Sequence, residues 1–172
     1  LKRRLNIACG ISHKPELVIL DEPTVAVDAQ SRKFILDGIK NLADNGASIL
    51  YTTHYLDEAE YLCNKISIMD NGKNILTGDM QTLINGVSVK EKITVVGYIK
   101  PEIISILENQ DDVVDVEVKE NQVTLNYSND VGNIKRLIYL LDDNNVVYEE
   151  IFSKKPKLED IFLEMTGKEL RE

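Results

Sequence analysis

The chain has 172 residues, 43% of them hydrophobic and 28% charged, a balance that suits one ordinary domain or two small ones and excludes a disordered or fibrous chain. Its 29 acidic and 20 basic residues leave a net charge of −9, which argues against nucleic acid as the main partner, because phosphate binding needs a basic patch. The longest apolar runs, such as Leu137-Ile138-Tyr139-Leu140-Leu141, fall far below the ~20 residues of a membrane-spanning helix; no targeting segment opens the chain. Cys9 and Cys63 have no CxxC spacing, so both are expected to be buried, reduced thiols of an intracellular protein.

The chain opens without Met and already in helical pattern, with Leu5, Ala8 and Cys9 on one face. It reads as though it begins in mid-helix, with an upstream part of the protein preceding it. Pro15 stops that helix. Leu17–Leu20 is apolar without alternation, which predicts a parallel strand covered on both faces. Asp28 is placed to cap a helix whose buried face carries Ile35, Ile39 and Leu42, closed by Asn45-Gly46. Ser48–Thr52 reads as a second strand. A helix from Tyr55 to about Asn64 follows, with Asp57, Glu58 and Glu60 near its positive end and Leu56, Ala59, Leu62 and Cys63 inward. Ile66–Met69 and Lys73–Thr77 flank Asp70-Asn71-Gly72, a hairpin signal. Asp79 then caps a short helix to about Ile84.

The character changes near Asn85-Gly86, since 18 of the 29 acidic residues lie in 85–172. The expected order there is strand (Ile93–Ile99), helix (Pro101–Asn109), strand (Val113–Lys119), strand (Gln122–Tyr127), helix (Val131–Leu141) and strand (Val146–Ile151). This βαββαβ order is the ferredoxin-like plan, a four-stranded antiparallel sheet under two helices. A last helix after Pro156 carries Leu158, Ile161, Phe162 and Met165 on one stripe and ends at Gly167. The fold class is therefore α/β, with an α/β part over 1–84 and a small α+β domain over 85–172.

The sharpest chemical feature is Leu17-Val18-Ile19-Leu20-Asp21-Glu22-Pro23. A buried parallel strand ending in two acids delivers carboxylates to the sheet edge where open α/β sheets bind ligands. One acid suits a hydrated Mg²⁺, the other an attacking water; the plainer reading is that the acids only polarise the turn. His54 ends the next strand and either donates to a ligand there or caps the following helix. Asp28 is explained fully as an N-cap. His13 sits in a polar turn, and Lys2, Arg3 and Arg4 read as a solvated helix face.

Together these pieces resemble, in order, the ATP-binding domain of ABC transporters. Lys2–Ala8 is similar to the helix after that family's signature loop, Leu17–Glu22 to Walker B with its catalytic Glu, and Thr24–Asp28 to the D-loop. Thr53-His54 is similar to the switch-histidine loop, Leu56-Asp57-Glu58-Ala59-Glu60 to the helix beyond it, and Met69–Lys73 to the hairpin that follows. The D-loop departs from the usual Gly-Leu-Asp-Pro, reading Ala26-Val27-Asp28-Ala29. Lys157–Leu170 resembles the ending of ATPase subunits from prokaryotic multidrug and sodium exporters, which carry a small C-terminal domain.

The resemblance implies the C-terminal portion of a P-loop ABC ATPase domain followed by an accessory domain. It implies ATP and Mg²⁺ as cofactors, with Asp21 holding Mg²⁺ through water, Glu22 polarising the hydrolytic water and His54 donating to the γ-phosphate. Asp28 would act across a dimer of two ATPase subunits. A separate multi-span membrane permease would form the pathway, placing the protein in the cytoplasm at the inner face of the membrane. The 172 residues contain no G-x-x-x-x-G-K-[ST] phosphate loop and no Ser-Gly-Gly signature, and phosphate-gripping backbone is what confers nucleotide affinity. On its own the chain is expected to hydrolyse little ATP. Two other readings remain open at this point: a soluble ABC-type ATPase not linked to transport, and a non-enzymatic interaction module.

Overall fold

In a computed structural model of the chain, residues 2–167 are described; Leu1 and the Lys168–Leu170 end of the family-like C-terminal run lie outside the described residues. These divide into two compact units, one up to Ile66 and one from Ser67 onward. The change of character expected near residue 85 lies inside the second unit.

The first unit runs α1 (Lys2–Ile11), β1 (Leu17–Asp21), α2 (Ala29–Asp44), β2 (Ser48–Thr52) and α3 (Leu56–Leu62). β1 and β2 pair in parallel, from Leu17 opposite Ser48 to Asp21 opposite Thr52, with α2 as the crossover that parallel pairing requires. Asp28 caps α2 by accepting the Ser31 N–H at 2.9 Å. Val18 and Leu20 bury against Ile35 and Ile39 of α2, with Ile7, Ile11, Val27, Ile49, Tyr51 and Leu62 around them.

Two expectations fail here. The β1 strand alternates rather than being covered on both faces: Leu17 and Ile19 are 58% and 64% exposed. The helices that cover the sheet all join the cluster on the Val18–Leu20 side, and the period-two pleat turns the intervening residues away from it. Cys9 is exposed rather than buried, because α1 leans on this cluster through Ile7 and Ile11 and leaves Leu5 exposed. Cys63 is half-buried, and burial raises the pKa of its thiol.

The second unit holds the hairpin of β3 (Ile66–Asp70) and β4 (Lys73–Gly78), α4 (Met80–Asn85), β5 (Glu91–Val96), α5 (Pro101–Glu108), β6 (Val113–Lys119), β7 (Gln122–Tyr127), α6 (Asn133–Asp143), β8 (Glu150–Lys154) and α7 (Leu158–Thr166). Strand β3 begins on the last residue of the first unit. Asn71 and Gly72 take the positive φ angles, 48° and 74°, that the tight hairpin turn demands. Strands β5 to β8 form one antiparallel sheet in the order β6-β7-β5-β8. Ile93, Val95, Val123, Leu125 and Tyr127 of the sheet meet Ile103, Leu107, Leu137 and Leu141 of α5 and α6 in its core.

Strand β8 starts four residues later than the apolar run Val146-Val147-Tyr148 suggests. Gly97, at φ 148°, lets the backbone of Tyr148 approach so closely that a Cβ would lie 3.0 Å from its Cα, and the ladder starts only at Val96 opposite Glu150. Near residue 85 the chain is tied rather than loose. Lys90 Nζ caps α4 by donating to the carbonyls of Ile84, Asn85 and Val87, and α4 packs on α7. Leu158 and Ile161 of α7 are fully buried, and Gly167, at φ 63°, closes the helix.

Candidate active site

The carboxyl ends of β1 and β2 bring the predicted acids and histidine together. Asp21 and Thr52 are register partners, and Thr52 Oγ1 donates to Asp21 Oδ1. One residue on, the Glu22 N–H donates to the Thr52 carbonyl at 3.1 Å. Glu22 then turns into the left-handed region at φ 47°, a conformation that costs a non-glycine residue energy and is concentrated at functional sites.

That turn aims the Glu22 side chain at the loop after β2. Its Oε1 lies 2.8 Å from Nδ1 of His54, whose ring rests against Tyr55 with centroids 4.1 Å apart. Glu22 Oε2 is buried and accepts no hydrogen bond. An acceptor stripped of water without a partner is costly, and it fits a site that receives a polar ligand atom. Asp21 is exposed at the same edge and offers hard oxygen donors of the kind Mg²⁺ prefers.

Asp28 stands apart in role: its carboxylate is engaged in capping α2, and the Ser31 N–H lowers its pKa. His13 and the Lys2-Arg3-Arg4 group are exposed, with Arg4 lying 4.2 Å over the ring of Phe34.

The sequence reading missed Glu58. It was expected among acids at the positive end of a helix, yet it is 1% exposed. Its carboxylate accepts from Thr24 Oγ1 at 2.6 Å, Arg32 Nε at 2.5 Å, the Tyr51 hydroxyl at 2.6 Å and Thr53 Oγ1 at 3.1 Å. Burial by itself would raise the carboxyl's pKa; the bonds from Thr24, Tyr51, Arg32 and Thr53 outweigh it and leave the pKa below its ordinary value. Burial and the bond to Glu58 in turn push the Tyr51 phenol up. Arg32 also forks onto exposed Asp57 at 3.0 and 3.2 Å and covers the Tyr55 ring at 4.4 Å. The available signal was that Glu58 stands one turn before Leu62, on the inward stripe of its helix.

No protein-family model matches the chain. It is 36% identical to the linearmycin resistance ATP-binding protein LnrL of Bacillus subtilis, over all of this chain and 56% of that protein. It is 30% identical to the Nod factor export ATP-binding protein I of Sinorhizobium fredii, over all of this chain and 48% of that protein. A solved ATP-binding subunit of an ABC transporter shares 30% identity over 46% of this chain and 33% of its own, with a TM-score of 0.44. Both of these relatives are ABC transporter ATP-binding proteins, and each match runs the full length of this chain. The chain spans about half the length of the curated relatives it matches. Among the described residues, no helix is long and apolar enough to cross a membrane.

Proposed function

We propose that this chain is part of the ATP-hydrolysing subunit of an ABC-type exporter, with residues 1–84 contributing Walker B, the D-loop and the switch histidine. The observation that carries the reading is the Glu22–His54 pair at 2.8 Å, beside Asp21 at the end of a parallel strand. Asp21 would hold Mg²⁺ through water, and the ion would supply charge neutralisation between the β- and γ-phosphates. Glu22, with one oxygen on His54 and the other unpartnered, is arranged to orient and deprotonate an attacking water. His54 would donate toward the γ-phosphate where negative charge grows.

Asp28, beyond its capping role, would face the second ATPase subunit of a dimer closed around ATP. A separate multi-span permease would provide the pathway, with this subunit peripheral at the cytoplasmic face. Residues 85–172 would form the ferredoxin-like accessory domain; their antiparallel strand order supports that reading. The phosphate loop would come from sequence outside this chain, so the 172 residues alone would turn over ATP negligibly.

The test is Glu22→Gln in the full-length protein that carries this chain. The amide keeps shape and removes the base, so ATP binding persists while hydrolysis stops. Hydrolysis at the parental rate would refute the assignment.

A further inference from the structure

The Glu58 carboxylate accepts a hydrogen bond from each of two loops that carry the candidate chemistry. Thr24 lies two residues past Glu22, separated from it only by buried Pro23, whose ring fixes φ. Thr53 directly precedes His54, and its Oγ1 also accepts the Tyr55 N–H at 3.0 Å, so the backbone is braced on both sides of the histidine. Thr24 and Arg32 occupy Oε1, and Tyr51 and Thr53 occupy Oε2. The carboxylate's acceptor sites are thus filled by donors from the loop after β1, from α2, from β2 and from the loop after β2. A group satisfied in this way is rigid, and a fully connected buried network specifies one arrangement.

We propose that Glu58 is a positioning residue for ATP hydrolysis, setting the separation of Glu22 and His54 through Thr24 and Thr53. The inference rests on the function proposed above. Glu58 hydrogen-bonds to neither Glu22 nor His54; it holds the side chains of Thr24 and Thr53, which lie two residues and one residue along the chain from them. Displacing either by a fraction of an ångström disturbs the pair while leaving the rest of the nucleotide site in place, so the effect falls on kcat and spares KM.

The experiment compares Glu58→Gln, Thr24→Val and Thr24→Ser in the full-length protein, measuring kcat and KM for ATP. Glu58→Gln and Thr24→Val are expected to lower kcat by ~10- to 100-fold with KM within about twofold. Thr24→Ser keeps the hydroxyl and stays within about threefold of the parental kcat. Thr24→Val keeps the side-chain shape, so it carries the test where Glu58→Gln fails to fold. Parental kcat in Thr24→Val, an equal loss in Thr24→Ser, or a loss confined to KM would overturn the proposal. Glu22→Gln, run alongside, separates the two readings. If it stops turnover while Thr24→Val does not, only the positioning role falls; if it turns over normally, the site assignment falls and the positioning role with it.

Discussion

His54 Nδ1 lies 2.8 Å from Glu22 Oε1 across 32 residues of sequence, and the parallel register of β1 and β2 is what closes that distance. Asp21 opposite Thr52 brings the two strand ends level; the left-handed turn at Glu22 and the bend at His54 then point the side chains toward each other. A histidine held by one ring nitrogen on a carboxylate has its other nitrogen fixed in direction, a use of imidazole common in catalytic sites. In the full-length protein, His54→Ala is expected to lower kcat for ATP hydrolysis by ~10²- to 10³-fold while nucleotide binding persists. Steady-state turnover alongside nucleotide titration checks this, and a variant hydrolysing at the parental rate removes His54 from the mechanism.

Glu58 also predicts a pH dependence. Its folded pKa lies below the ordinary 4.5 because four hydrogen bonds outweigh burial. A depressed carboxyl contributes stability that is present above the unfolded value and is lost as pH falls through the folded one. Unfolding midpoints of the full-length protein should therefore fall below pH 4.5, and Glu58→Gln, with no proton to take up there, should show a shallower fall. Equal slopes in the two proteins would show that the ionised carboxylate is not what ties the loops.

Much of the second unit was legible in sequence. Val113–Lys119 and Gln122–Tyr127 match β6 and β7 at both ends, because Glu120-Asn121 punctuates them and Glu120 accepts φ 44°. Asp28 and Asp79 were legible as caps, since each has a helix N–H donor three residues on, Ser31 and Thr82. That Asp21, Glu22 and His54 would lie together was legible, because residues at the ends of neighbouring parallel strands share one edge. Glu58 was not. Its burial depends on Thr24 and Arg32, 34 and 26 residues away, and an acid in the first turn of a helix has a sufficient local explanation in the dipole. The start of β8 was missed for a similar reason: the close approach at Gly97 is tertiary.

The second unit's packing predicts how it behaves in isolation. Residues 67–172 should show one cooperative thermal transition, because the sheet core and the α4–α7 contact are both complete within them. Residues 88–172 retain the four-stranded sheet and its two helices and should also fold. They lose Leu83 and Ile84, which are buried in α4, and each buried aliphatic contributes roughly 1.5–3 kcal/mol. The shorter segment should therefore melt at lower temperature than the longer one. Absence of a cooperative transition in 88–172 would refute an independent domain beginning near residue 85.

Within that core, Leu137 and Leu125 are fully buried from opposite layers. Leu137→Ala should cost ~2–5 kcal/mol, the range for deleting a buried leucine where the neighbours only partly close the gap. Tyr139, two residues on, is 59% exposed, and Tyr139→Ala should change stability by no more than about 0.5 kcal/mol. Chemical denaturation of residues 67–172 measures both; similar costs at the two positions would contradict the assigned inward face of α6.

The bare face of the first unit's sheet predicts association. Leu17, Ile19 and Leu50 stand 58%, 64% and 55% exposed, and Ile19 and Leu50 are register partners on adjacent strands, so the three form one apolar patch. Among the described residues this sheet has only two strands, which leaves each with an unpaired row of backbone donors and acceptors beside that patch. Such an edge invites strand pairing with another chain, and apolar patches of this kind promote aggregation. The 172-residue chain by itself is expected to self-associate in a concentration-dependent way. Replacing Ile19 and Leu50 together by Thr keeps strand propensity while removing apolar surface, and should shift the chain toward monomer in sedimentation velocity. Hydrogen exchange gives the sharper reading, because an open edge leaves β1 amides weakly protected in the monomer. Strong, uniform protection from Leu17 to Leu20 in a monomeric sample would show that the edge is covered, and the patch would then not drive association.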